Sequence, residues 1–198
     1  MAMTSGDHRI RTSKRLIRKA LTDLLRQGPI QSISVKQLCQ NAGVSRGTFY
    51  AHYVDIYDLL ARMEEEMVDD LRQSLGPMLE GEPGEQGLLN VMAGLFRRLR
   101  DNADLCIVAL GPYGDRDFIR RLLLLGREYF IAAYRRSFPA ATAEQLERCY
   151  AFMSGGCIGL LEDWLKRGMA VSAQEIAESA QQIMLQGMGY LKSRHPAI

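Results

Sequence analysis

The sequence is poor in the arrangements that reaction centres need. Its three histidines, His8, His52 and His195, belong to no Ser-His-Asp or Cys-His set, and no glycine-rich phosphate loop follows a strand pattern. An enzyme is therefore the disfavoured class. The four cysteines, Cys39, Cys106, Cys149 and Cys157, form no CxxC pair and no metal-ligand spacing. No metal site, cofactor or disulfide framework is expected. Long apolar runs are also missing. The longest, from Cys149 to Leu161, is about 13 residues, and a bilayer span needs about 20. No apolar stretch backs the basic N-terminal residues, so no leader is expected. These absences point to a soluble, cytoplasmic protein with free thiols and no membrane partner.

Strand alternation is lacking as well. Apolar residues recur every three or four positions, which is the helical period. Helix starts are marked by Ser34 with Gln37, Thr142 with Gln145 and Ser172 with Glu175, each spaced as a capping box. Asp55 is a further cap. The pattern predicts about nine helices, near 12–27, 35–41, 45–53, 56–79, 86–100, 103–110, 117–138, 143–167 and 173–192. Breaks fall at Gly28-Pro29, at 81–85 and at Gly111-Pro112-Tyr113-Gly114. The expected class is all-α: a three-helix head over 1–54 and a larger helical bundle over 55–198.

Net charge is only +2, but it is unevenly placed. Residues 1–54 carry nine Lys or Arg against two acids, giving +7, and the remainder is −5. A basic head on an acidic body suits a polyanionic partner for the head, although a solvated basic helix would look similar.

The chemistry concentrates between Ser34 and Tyr53. Two short helices there flank Gly43, placed where the chain must reverse and a left-handed backbone is cheap only for glycine. Leu38, Val44 and Phe49 are spaced as a shared core, Cys39 and Ala42 allow close approach, and Ser45 can cap the second helix. Arg46, Gly47, Thr48, Tyr50 and His52 are left on or near the outer face. Arginine pairs bidentately with guanine or phosphate, hydroxyls reach phosphate oxygens, and a glycine lets backbone approach. Helix N-termini also favour phosphate. A plain helical hairpin within a bundle is the bland alternative.

The run Gly43-Val-Ser-Arg-Gly-Thr-Phe-Tyr-Ala-His-Tyr53, within a match over about Thr12 to Leu60, resembles the TetR family of repressors. The resemblance implies a homodimer on double-stranded operator DNA. The helix Ser45 to Tyr53 of each subunit would enter successive major grooves, about 34 Å apart. It places Arg46 and Tyr50 at or near base edges. Thr48, His52, Tyr53, Lys36 and Ser34 are placed at phosphates, with Ser45 and Gly47 at the helix start. Arg9 and Arg11, ahead of the first helix, are expected as an arm. One position departs from the family: a lysine common near the start of the fourth helix is Ile56 here, so a phosphate contact is missing or falls to Tyr57.

The body resembles the family more loosely. Asn102 to Leu110 and Phe152 to Leu165 are similar to a subgroup that includes the activator of a dihydroxyacetone kinase operon. Gly155, Gly156 and Gly159 each cost about 1 kcal/mol in a helix interior. Their helix is apolar nearly all round, which predicts burial on all sides. With Ile176, Ala180, Ile183 and Gly187 they are expected at a four-helix dimer interface, the alternative being an intrachain bundle. A small apolar or aromatic effector is expected between helices lined by Met67, Leu71, Met92, Phe96, Cys106, Tyr113, Phe130, Tyr134, Phe152, Met153 and Trp164. Most such residues in any bundle are plain core. A thiol sensor competes: Cys149 and Cys157 share a face about 12 Å apart along the axis, too far for a disulfide within one helix. The function expected is a ligand-responsive regulator, with a repressor favoured. An activator, or an adaptor that binds protein, is the alternative.

Overall fold

The computed structural model describes residues 5–79 and 85–187. They form nine α-helices: α1 (Ser5–Leu25), α2 (Val35–Ala42), α3 (Arg46–Tyr50), α4 (Ile56–Leu75), α5 (Glu85–Asp101), α6 (Ala103–Ala109), α7 (Arg116–Ser137), α8 (Ala143–Lys166) and α9 (Ala173–Gly187). Among the described residues there is no strand, and no helix is long and apolar enough to cross a membrane.

The local signals act as their chemistry requires. Thr142 Oγ1 accepts from the Gln145 backbone at 3.1 Å, and Gln145 Oε1 accepts from the Thr142 backbone at 2.8 Å. Ser172 and Glu175 form the same reciprocal pair at 3.2 and 2.8 Å. Ser34 accepts from the Gln37 backbone at 3.2 Å, and Asp55 from the Asp58 backbone at 2.7 Å. Each bond satisfies a donor that the first helical turn leaves open.

Three boundaries move. α1 begins at Ser5, so Arg9 and Arg11 stand on a helix and not in an arm ahead of it. The stretch before Thr12 shows little apolar periodicity, and its long basic side chains are good helix formers that a periodicity search passes over. α3 is shorter than expected, because the chain turns at Ala51 and His52. α4 gives way at Gly76 to a 3₁₀ turn, Gly76–Leu79. The expected end of the last helix, beyond Gly187, and the break over 81–84 lie outside the described residues.

Two compact units divide the chain. One runs up to Met67 and takes in Asp104–Arg116; the other comprises Val68–Ala103 and the residues from Asp117 onward. In the first, α1 packs on α2, and Ile17, Leu21, Leu38, Phe49 and Leu59 are fully enclosed. Arg26 of α1 pairs with Asp104 of α6 at 2.5 Å. In the second, α5 lies along α9, and α9 also packs on α8. Trp164 is its largest enclosed side chain: it meets Phe96 edge to face at 6.0 Å, and its Nε1 donates to the Val171 carbonyl at 2.9 Å. Aromatic pairs in this geometry add to the gain from burial alone.

Loop glycines carry part of the geometry. A Cβ on Gly114 would stand 2.0 Å from the Ala109 carbonyl oxygen, so the turn after α6 has no room for another residue.

Candidate nucleic-acid interface

Gly43 closes α2 with φ 65°, and its N–H reaches the Cys39 and Gln40 carbonyls. That is the left-handed cap a helix takes when the chain must turn sharply. A Cβ there would meet nothing within 4 Å, so Gly43→Ala changes backbone energy alone. The expected loss is about 1–2 kcal/mol of head stability, read by urea unfolding of the variant against the parent. No measurable loss would mean that the turn does not need its left-handed residue.

Beyond the turn, Ser45 opens α3. Its Oγ accepts from the Thr48 backbone at 3.0 Å and lies 2.9 Å from Thr48 Oγ1. Phe49 anchors the helix from beneath with no exposed surface, and Tyr53 packs against it at 5.7 Å between ring centroids. With that face held, Ser45, Arg46, Gly47 and Tyr50 are exposed, and Thr48 and His52 are half-buried. Tyr50 is 57% exposed, a large ring left in solvent. Ser34 and Lys36, at the start of α2, are also exposed. The result is a short helix presenting guanidinium, hydroxyl and aromatic groups above a rigid base, the arrangement that base-edge and phosphate contacts require.

Tyr53 stands apart from the others expected at phosphates. It is 4% exposed, and Arg62 of α4 lies 5.7 Å above its ring. Ile56 is in the core, and Tyr57 is 55% exposed.

Of the surrounding ion pairs, that between Arg18 and Glu66 was not legible in the sequence, since it joins positions far apart, whereas Asp58 and Arg62 stand one helical turn apart. Arg18 of α1 pairs with Glu66 of α4, and Glu66 pushes its guanidinium up. Asp58 accepts from the Val54 backbone and from Arg62, both at 2.9 Å, and Arg62 chiefly holds its carboxyl below the usual carboxylate range. These bonds fix the exit from α3 into α4.

The residues expected around a ligand are divided between the two units. Met67, Cys106 and Tyr113 fall in the first unit; Met92, Phe96, Phe130, Tyr134, Phe152, Met153 and Trp164 fall in the second. All are buried except Tyr113, 47% exposed, and Phe152, 76% exposed. Leu71 is half-buried. Helical spacing marks an apolar face but not the core it enters.

α8 is not enclosed on every side within one chain. Phe152, Gly155, Gly156 and Gly159 lie exposed, and a Cβ on any of the three glycines would meet nothing within 4 Å. Close approach within the chain occurs instead at Gly126, where a Cβ would stand 2.9 Å from the Tyr150 hydroxyl. Between α8 and α9 lies an apolar groove of about 350 Å³, lined by Phe152, Met153, Gly156, Cys157, Gly159, Leu160, Ala180, Ile183, Met184 and Gly187. It gathers most of the residues expected at an interface, with Gly155 and the half-buried Ile176 outside the lining.

Cys39, Cys106 and Cys149 are buried and Cys157 half-buried, all as free thiols. Burial pushes Cys106 up to about 12 and Cys157 up to about 11. A redox-sensing thiol needs the opposite shift. Among the described residues, no group of three or more His, Cys, Asp or Glu is placed to hold a metal.

Comparison with known proteins agrees with this geometry. The family model for bacterial regulatory proteins, tetR family, matches residues 17–63, and that for a transcriptional regulator C-terminal region matches residues 87–186. An uncharacterized HTH-type transcriptional regulator, YxbF of Bacillus subtilis (strain 168), is 33% identical over 63 residues, 32% of this chain. The match spans only 16% of that curated relative's length. Among solved structures, a TetR-family transcriptional regulator from Bordetella parapertussis 12822 superposes with a TM-score of 0.68 at 21% identity, covering 93% of this chain and 98% of that one. FadR from Bacillus subtilis, solved in complex with stearoyl-CoA, gives 0.65 at 15% identity, covering 87% and 98%. The dihydroxyacetone kinase operon activator DhaS gives 0.55 at 17% identity, covering 89% and 96%, a likeness of fold alone. The family and its fold are those of regulators and not of enzymes. Matched in the head and over half its length in the body, this all-helical chain belongs to the TetR family of bacterial transcriptional regulators.

Proposed function

We propose that the protein is a cytoplasmic repressor that binds a palindromic operator as a homodimer and is released by a small apolar or aromatic effector. In this reading residues 1–54 hold the DNA and residues 55–198 hold the effector and the second subunit. The observation that carries it is α3: Arg46, Gly47 and Tyr50 stand in solvent on a helix pinned by the enclosed Phe49. One such helix per subunit, about 34 Å from its twin, matches one turn of DNA. The bare glycine face of α8 and the apolar groove beside it support a twofold pairing of subunits on that face. The stearoyl-CoA held by the Bacillus subtilis protein of similar fold supports a body that takes ligands.

Control would run through α4, which begins in the first unit and ends in the second. A ligand that shifts it would change the fit of two recognition helices to their half-sites. Coupling of about 1–3 kcal/mol gives 5- to 150-fold control.

Selection from a random duplex pool tests the DNA half. The expected winner is a near-palindrome, with Arg46→Ala binding it at least tenfold more weakly, since a bidentate base contact is worth about 1–3 kcal/mol. Failure to enrich any sequence would favour a protein-binding adaptor.

A further inference from the structure

The second unit contains a polar atom that the fold leaves unused. Phe130, Tyr134 and Phe138 lie four residues apart along α7 and its end. The first two ring centroids are 4.3 Å apart, and Tyr134 and Phe138 stack at 6.0 Å with 17° between planes. α8 brings Tyr150 to 5.5 Å from Phe130. The Tyr150 hydroxyl donates to the Leu123 carbonyl at 2.5 Å, and the Cys149 thiol to the Met153 sulfur at 3.7 Å. The Tyr134 hydroxyl has no partner among the described residues, although the residue is only 3% exposed. Burial pushes it up to about 12, so it is neutral and offers both a hydrogen and lone pairs. Phenylalanine would fill this place without stranding an oxygen. Buried polar groups are nearly always bonded, and an exception calls for a role.

We infer that the Tyr134 hydroxyl is the polar contact for the effector, a neutral aromatic molecule carrying one hydrogen-bonding oxygen, whose ring joins the Phe130–Tyr134–Phe138 column. The inference rests on the reading above that the body holds a ligand. Phe138 is half-buried and marks the open end of the column. Offset stacking suits a flat ring there. The nearby Arg127 and Glu147 are committed to each other in a two-bond pair. The unpartnered group at the column is thus a neutral hydroxyl, which suits a phenol or aryl ketone.

The test uses p-cresol and toluene, which differ by one hydroxyl, on the full chain and on Tyr134→Phe. Each is titrated by thermal shift. The unliganded variant is expected to melt at or above the parent temperature, because it loses an unpaired buried oxygen. Wild type should bind p-cresol about tenfold more tightly than toluene, and the variant should bind the two equally. The inference is overturned by a variant that melts several degrees lower, by equal shifts of the wild type with both compounds, or by no shift with either. Binding to the selected operator without additive separates the two readings. Operator binding retained alongside any of those outcomes removes only the Tyr134 assignment, and no operator binding by wild type counts against the regulator reading itself.

Discussion

Phe152→Glu should leave each chain folded and reduce the proposed homodimer to monomers. Phe152 is 76% exposed in the single chain, so its replacement removes little packing from the fold. In a twofold dimer built on α8 and α9 the same position is enclosed, and symmetry places the new carboxylate there twice. An uncompensated buried charge costs several kcal/mol. Even about 4 kcal/mol raises the dissociation constant roughly a thousandfold. Sedimentation velocity should show a monomer at micromolar concentration, with an unchanged helical signal. Affinity for a full operator should fall toward that for a half-site. A variant that stays dimeric would place the subunit interface elsewhere and leave the groove beside Ile183 unexplained.

Trp164→Ala should be the most damaging single change to the second unit. Trp164 is 2% exposed, stacks edge-on against Phe96, and donates to the Val171 carbonyl. Truncating an enclosed tryptophan costs about 3–5 kcal/mol, and the carbonyl left behind loses its donor. For a chain of this size that lowers the melting temperature by roughly 10 °C, followed by circular dichroism. Trp164→Phe keeps a ring against Phe96 but not the N–H, and should cost about 1 kcal/mol. Equal losses for the two would assign the stability to the hydrogen bond and not to the packing.

Local chemistry was legible in the sequence, and long-range packing was not. A cap joins residues three apart, so Thr142 with Gln145 can be read without knowing the fold. Gly43 announces its turn for the same reason. The outer face of α3 follows once Phe49 is taken as the anchor, because a five-residue helix offers few other faces. Periodicity gives no such guidance about destination. Phe130 and Phe152 have the same side chain and similar helical surroundings, yet one is enclosed and the other is 76% exposed. The clustered glycines of α8 were expected to signal close approach, and within one chain they face open space. A missing side chain leaves room for a close neighbour without telling whether the same molecule provides one. The stranded hydroxyl of Tyr134 is invisible to sequence altogether, since only the packed fold leaves it without a partner among the described residues.

Trp164 has one more consequence. It is the chain's single tryptophan, and it belongs to the second unit. Its emission therefore reports on that unit alone, whereas far-ultraviolet ellipticity sums over every helix. Superimposable denaturation curves from the two signals would show that the chain melts as one cooperative block. An ellipticity loss that precedes the shift in emission would show the DNA-reading end coming apart first, and no engineered label is needed to see it.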